Sequence, residues 1–589
     1  MKRIFCTVVL FSMLLTSAAG LTACGGDGDR PDNESGVTEA QDGTAESGTS
    51  ANGDETDGGH ADNATGSVGL EYFSNGDGTC RVLGIGTCTD TDVVIPRISP
   101  DGKAVTSIAF GAFENCGGMT SVTIPDSVTS IEEHAFLNCT GLTSVTIPVG
   151  VTYIGQNTFS GCSELFSISV APGNPSFLSI DGVLYDGSAS RLVRCPPKKS
   201  EVSIPDSVVG INATAFHGCS ALTSLTLPDS VTTIAESAFF QCTGLQAVTI
   251  PDKTVSIQYG AFQGCDNLEE IHLGAAVTDF SPDAFLFCPS VVSVSVSEEN
   301  PNYSAIDGVL YSKDASVLVY CPPTRKEITI PDTVKEIGSG AFLSCVYLSS
   351  VTLPAGVTTI GTQAFGGCTG LTALDLPEGL TDIHASAFDS CSALTSIVLP
   401  DSVTFMDTSV FRDCTALTSV TIPDGVTKIS NHTFSGCTAL EEITLGNRIT
   451  SLGYGAFENC VSLSSIIIPD SVTRMDGMLF SGCTKLASVV IPDGVKEIGD
   501  LAFNGCTGMT EFIFGDNVAR VGSDVFNNCT ALQYLVITES VKSINLSTLS
   551  TCTALTEIYY TGTEYDWYDI VRNQMGNIPY TIHYNHIPD

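Results

Sequence analysis

The chain is 589 residues long, more than one compact core usually holds, so several domains or an extended repeat array is expected. Apolar residues make up 43 % and charged residues only 15 %, too apolar a balance for a disordered protein. The net charge of −41 repels nucleic acid and anionic head groups, so neither is expected as a partner.

Lys2 and Arg3 precede an apolar run from Ile4 to Leu15 that is too short for a comfortable membrane span, so residues 1–23 read as an export signal. The segment closes with Leu21-Thr22-Ala23-Cys24, which resembles a bacterial lipobox. That resemblance implies lipidation of Cys24 and attachment to a membrane through acyl chains alone. Ordinary secretory cleavage near Ala19 or Ala23 is the alternative, and it leaves Cys24 incidental. Residues 24–68 are rich in Gly, Ser, Thr, Asp and Glu without apolar periodicity, and His60 stands alone among them. They read as an unfolded acidic tether with an r.m.s. span of roughly 35 Å. Residues 69–100 read as an N-terminal β cap.

From Cys116 the cysteines fall 23 residues apart, except at two places where the spacing stretches to 57. The unit reads C-x-x-L-x-x-V-x-I-P-D-x-V-x-x-I-x-x-x-A-F-x-x-C, and between Cys391 and Cys414 its apolar positions are Leu394, Ile397, Leu399, Val403, Met406, Val410 and Phe411. A period of 20–30 that begins L-x-x-L-x-L is the signature of a leucine-rich-repeat solenoid. The expected fold over residues 101–552 is therefore an α/β, β-rich repeat with a parallel β-sheet. In each coil a short strand points Ile397 and Leu399 inward and Ser396 and Val398 outward. Pro400, lacking an amide hydrogen, ends it. The Ala-Phe pair fills the next layer from a short helical or 3₁₀ turn. At about 4.8 Å per strand, some 17–20 coils stack to roughly 80–95 Å.

A small, weakly polar residue repeated in every coil predicts a buried column of reduced thiols. In-register side chains point in parallel, which is poor disulfide geometry. Seventeen equivalent sites also argue for packing rather than catalysis. Cys80 and Cys88 lie outside the column, and the sequence leaves open whether they are bridged.

The two long spacings contain near copies of each other, residues 174–197 and 300–323, each with I-D-G-V-L-Y and a later C-P-P. Each reads as a β-hairpin that protrudes from the array. Residues 553–589, with the lone Trp567, break the repeat and read as a C-terminal cap.

The phrases SVTIPDSVTSI, AFxxC, IDGVLY…CPP and EIYYTGTEYDW together resemble the BspA-type leucine-rich-repeat surface proteins of bacteria. The resemblance covers about residues 69–589. It implies a solenoid used for adhesion to matrix, plasma or cell-surface proteins, held at the bacterial cell surface or outer membrane, and it carries over no binding residue.

An enzyme needs unlike groups that converge, and a repeat array offers like groups in columns. No enzyme activity, cofactor or metal is therefore expected. His134 and His432 share a repeat position far apart along the stack, and His583 and His586 sit in a non-helical tail. The Asp that follows Pro, as in Asp126 and Asp401, is a turn residue rather than a calcium ligand. Binding is expected on the outward strand face, which is mostly Ser and Thr. Toward the C-terminus Ile467, Val490, Ile513, Val536 and Tyr559 form one outward column, with Glu511, Tyr534 and Glu557 beside it. An apolar stripe rimmed by Tyr and carboxylates suits a protein ligand, although β-branched residues also simply suit parallel strands. A glycan-binding or envelope-scaffolding module is the alternative function.

Overall fold

Each 23-residue unit closes one turn of a solenoid in the computed structural model, which describes residues 66–571 and 580–585. The export signal, Cys24, His60, the tether up to residue 65 and His586 lie outside the described residues. Three hydrogen-bonded ladders join successive turns. The first is the expected parallel strand: Ala373–Asp375 pairs with Ser396–Val398, which pairs with Ser419–Thr421. Ile397 and Leu399 are buried there while Ser396 and Val398 are exposed, as alternation along a strand requires. Pro400 then opens a β-turn, its carbonyl accepting the Val403 N–H at 3.0 Å, and Asp401 sits in the turn.

The second ladder was not foreseen. Two residues of the V-T-x-I stretch form a further parallel strand in each coil, as Ser130–Ile131 does with Tyr153–Ile154. The third runs through the Ala-Phe turn. The N–H groups of His134, Phe136 and Asn138 donate to the carbonyls of Gln156, Thr158 and Ser160 one coil on, at 3.2, 3.0 and 2.8 Å. This stretch is not helical as a rule, because His134 and Asn138 hold left-handed backbone with φ of +59° and +57°. Short 3₁₀ helices occur only at Pro282–Phe285 and Leu546–Thr551 among the described residues. The abundant threonines serve the same stacking: the hydroxyls of Thr129, Thr152, Thr381 and Thr418 each donate to a carbonyl one coil back.

Phenylalanine rings fill the interior in near-parallel stacks, as with Phe113 on Phe136 at 5.2 Å and Phe388 on Phe411 at 5.3 Å. The stack breaks between Phe159 and Phe216 and again between Phe285 and Phe342, which divides the apolar core into three.

The inserts cause those breaks, and they do not protrude. Phe177–Ile180, Val183–Asp186 and Arg191–Arg194 form an antiparallel meander whose last strand joins the second ladder, Leu192 opposite Ile211. Its middle strand is a partition. Leu184 packs into the core before it, while Val183 and Tyr185 pack into the core after it. Leu310, Val309 and Tyr311 repeat the arrangement in the second insert. A strand with I-D-G-V-L-Y has apolar side chains on both faces, so exposure would leave one of them in water. Each insert is tied down by an asparagine. Asn300 is fully buried; its amide donates to the carbonyls of Gly274 and Val277 at 2.9 and 3.1 Å and accepts the N–H groups of Asn302 and Tyr303 at 2.9 Å. Asn174 does the same in the first insert.

The ends continue the ladders. At the N-terminal side Thr79–Gly84 pairs with Ala104–Ile108, and at the C-terminal side Glu557–Tyr560 pairs with Thr581–Tyr584. The helix Glu564–Val571 covers the last turn, with Trp567 buried against Tyr560 at 5.4 Å. Coils at the ends and inserts raise the count to about 22, above the 17–20 that the cysteines suggest. No helix of the described residues is long and apolar enough to cross a membrane.

Candidate functional site

The cysteine column is a packing device. All described cysteines are free thiols, Cys80 and Cys88 included, and from Cys139 to Cys552 they are buried. Burial pushes the Cys391 and Cys483 thiols up to about 12, which keeps both protonated near neutral pH. Among the described residues no group of three or more His, Cys, Asp or Glu is placed to hold a metal ion. The Asp residues after Pro lie one per coil in their turns. His134 and His432 occupy the same left-handed slot in distant coils, the latter 3.6 Å from Glu458.

The outward column of the first ladder is a different surface. Ile467 is 86 % exposed, Val490 81 % and Ile513 49 %. In register, Val490 lies opposite Ile513, Ile513 opposite Val536, Val536 opposite Tyr559 and Tyr559 opposite His583. Val536 departs from expectation, being buried at 1 % exposure. Its neighbours on this face are Tyr534, two residues back on the same strand, and Tyr559, directly opposite. Their rings meet edge to face at 6.0 Å. The aliphatic stripe thus has three exposed members and ends in an aromatic cluster.

That cluster has its own polar order. The Tyr534 hydroxyl donates to Glu511 and the Tyr559 hydroxyl to Glu557. These hydrogen bonds to carboxylates hold both phenols above their ordinary range. His583 stacks on Tyr559 at 4.7 Å with its Nε2 3.9 Å from Glu557. The predicted residues therefore lie together over consecutive coils, and His583 joins them. Residue spacing alone would have found it, since its strand repeats the Tyr559 position.

Sequence reasoning missed two clefts. One of about 440 Å³ opens beside the first insert, and one of about 230 Å³ beside the second. Arg194 lines the former and Tyr320, its counterpart, the latter.

The chain matches the family model described as "BspA type Leucine rich repeat region" over residues 95–181, 194–306, 319–438, 405–529 and 478–566. Among solved structures it is similar to a leucine-rich repeat protein from Bacteroides ovatus, 23 % identical over 85 % of this chain and 99 % of that one, with a TM-score of 0.30. A leucine-rich repeat protein from Eubacterium ventriosum is 20 % identical over 74 % of this chain and 93 % of that one, with a TM-score of 0.39. A leucine rich cell surface protein from Faecalibacterium prausnitzii is 22 % identical over 87 % of this chain and 100 % of that one, with a TM-score of 0.25. No curated protein matches.

Proposed function

Because the chain belongs to the BspA-type leucine-rich-repeat family, we propose that it is a cell-surface lipoprotein, anchored through Cys24, whose strand face adheres to a protein of a host or neighbouring cell. The observation that carries this reading is the exposed stripe of Ile467, Val490 and Ile513 running into the Tyr534–Glu511 and Tyr559–Glu557 pairs. Ile513 stands on the strand Glu511–Ile513 with Val490 bridged to it, and tyrosines at the rim supply amphipathic contact area. The aromatic cluster also favours a second reading, in which Tyr534 and Tyr559 receive a glycan.

Binding to a panel of matrix proteins, plasma proteins and glycans tests both. The comparison variant carries Ile467→Thr, Val490→Thr and Ile513→Thr, leaving buried Val536 alone. Protein binding that the variant loses supports the adhesin; protein binding that survives unchanged rejects the stripe as its site. Glycan binding lost on Tyr559→Ala would replace the first reading with the second. Labelling with a radioactive fatty acid, absent from Cys24→Ala, tests the anchor.

A further inference from the structure

The first insert leaves a row of backbone donors without acceptors. In an ordinary coil three N–H groups of the Ala-Phe turn donate to carbonyls of the next coil, as Thr214, Phe216 and Gly218 do to Glu236, Ala238 and Phe240 at 3.2, 2.7 and 2.8 Å. The corresponding groups before the insert are Asn157, Phe159 and Gly161, and none has a hydrogen-bond acceptor among the described residues. The insert has taken two of the three partners. The Cys195 N–H bonds the Ala215 carbonyl at 2.7 Å, and Arg194 Nη2 bonds the His217 carbonyl at 2.9 Å.

Arg194 bridges the gap so opened. Its Nη2 also reaches the Phe159 carbonyl at 3.0 Å, the place a thiol fills in ordinary coils, and its Nη1 reaches the Thr214 carbonyl at 2.6 Å. The residue is 5 % exposed, its Nε has no partner, and no carboxylate pairs with it among the described residues. An uncompensated guanidinium in such a place favours an anion beside it. His217 does not supply a second charge, since burial and then Arg194 push its imidazole down to about 4.

Besides apolar groups such as Ile154 and Val193, the 440 Å³ cleft is lined by Gln156, Asn157, Asn212, Thr214 and Gln258, with Glu236 its one carboxylate. Amides, a hydroxyl and a single acceptor suit hydroxyl groups, and the volume suits a ligand of monosaccharide size. The second insert differs at the equivalent positions. There Asp283 stands in the Asn157 slot, Ala284 for Thr158, Leu286 for Ser160 and Tyr320 for Arg194, so the equivalent place lacks the cation.

We propose that the cleft beside the first insert binds the carboxylate of an acidic sugar, held by the free N–H groups of Asn157 and Phe159 with the Arg194 guanidinium behind it. Asn157 holds left-handed backbone with φ of +56°, as His134 and Thr214 do at the same position of ordinary coils, where the N–H donates to the neighbouring coil. The site lies apart from the C-terminal strand face and stands or falls without it.

Calorimetric titration of the full-length protein at low salt with glucuronate, glucose and sulfate tests this. The expected result is millimolar binding of glucuronate, none of glucose, and a loss of about tenfold or more in Arg194→Tyr, which copies the second insert. Should Arg194→Tyr unfold, Asn157→Asp decides, because it sets a carboxylate beside the N–H row and leaves Arg194 in place. Polygalacturonate in place of the monosaccharide tells a chain-borne acid from a free one, and binding of either upholds the site. Binding of glucose as tight as glucuronate, sulfate binding without binding of either acid, no binding of glucuronate or polygalacturonate by the folded parent, or full binding by both folded variants overturns it.

Discussion

The thiol of Cys139 donates to the carbonyl oxygen of Phe113, 3.0 Å away on the preceding coil. The same bond recurs down the column, from Cys162 to Phe136 at 3.1 Å, Cys437 to Phe411 at 3.1 Å and Cys552 to Phe526 at 3.2 Å. Each of these carbonyls turns inward at the left-handed turn, where water does not reach. Cysteine supplies a weak donor with little desolvation cost, and it is small enough to leave room for the phenylalanine stack.

Cys437→Ser and Cys437→Ala separate that bond from packing. The two replacements have similar volume, but only serine keeps a donor for Phe411. Serine is expected to be the more stable variant by about 1 kcal/mol, read from unfolding midpoints of matched proteins. Alanine equal to or above serine would mean that the column is held by packing alone.

Thiol labelling follows from burial. Cys88 and Cys116 are half-buried, whereas the thiols from Cys139 to Cys552 are enclosed, with Cys552 pushed up to about 11. Iodoacetamide at pH 8 followed by peptide mapping is expected to modify Cys88 and Cys116 first. The column should react only after denaturant is added. Early modification of mid-column thiols such as Cys414 would show that the coils open locally.

Asn300→Ala removes a side chain that makes four hydrogen bonds at the root of the second insert. Two carbonyls in a buried place and two partly buried N–H groups lose their partner. A loss of about 3 kcal/mol or more is expected, with Asn300→Asp nearly as costly because a carboxylate cannot donate to Gly274 and Val277. Denaturant unfolding monitored by circular dichroism measures it, and a loss below about 1 kcal/mol would show that the insert does not depend on this anchor.

His217 gives the molecule an acid-sensitive point. Its folded value of about 4 lies below the ordinary 6.5, so between those pH values the unfolded chain takes up a proton that the folded chain refuses. Its contribution is complete above pH 6.5 and is lost as the pH falls through 4. The whole effect is up to about 3 kcal/mol. In His217→Gln the stability difference between pH 7 and pH 4 should shrink by a comparable amount. An unchanged difference would mean that His217 charges freely in the fold.

Much of this architecture is legible in residue spacing. A 23-residue period with fixed apolar positions names the core residues one by one, because a residue that recurs in every coil faces the same neighbours in each. Ile397, Leu399, Phe411 and Cys414 were assigned to the interior that way and are there. The second ladder escaped because a two-residue strand has too little alternation to leave a pattern. Val536 was misjudged because a period reports which way a side chain points and not what stands beside it. Val536 is buried at 1 % exposure on a face it shares with Tyr534 and Tyr559, residues far bulkier than the Ser and Thr at these positions in most coils.

The sequence by itself determined the coil, its inward and outward faces and the reduced cysteine column, since each follows from a local pattern repeated at constant rise. Only the tertiary structure decided what happens where the repeat fails. An insert can loop out or slide between coils, and its residues read alike in either case. Packing chose the second course, because the Val183–Asp186 strand has apolar side chains for two cores. That choice took the acceptors from Phe159 and Gly161 and brought Arg194 beside Phe159 from another strand.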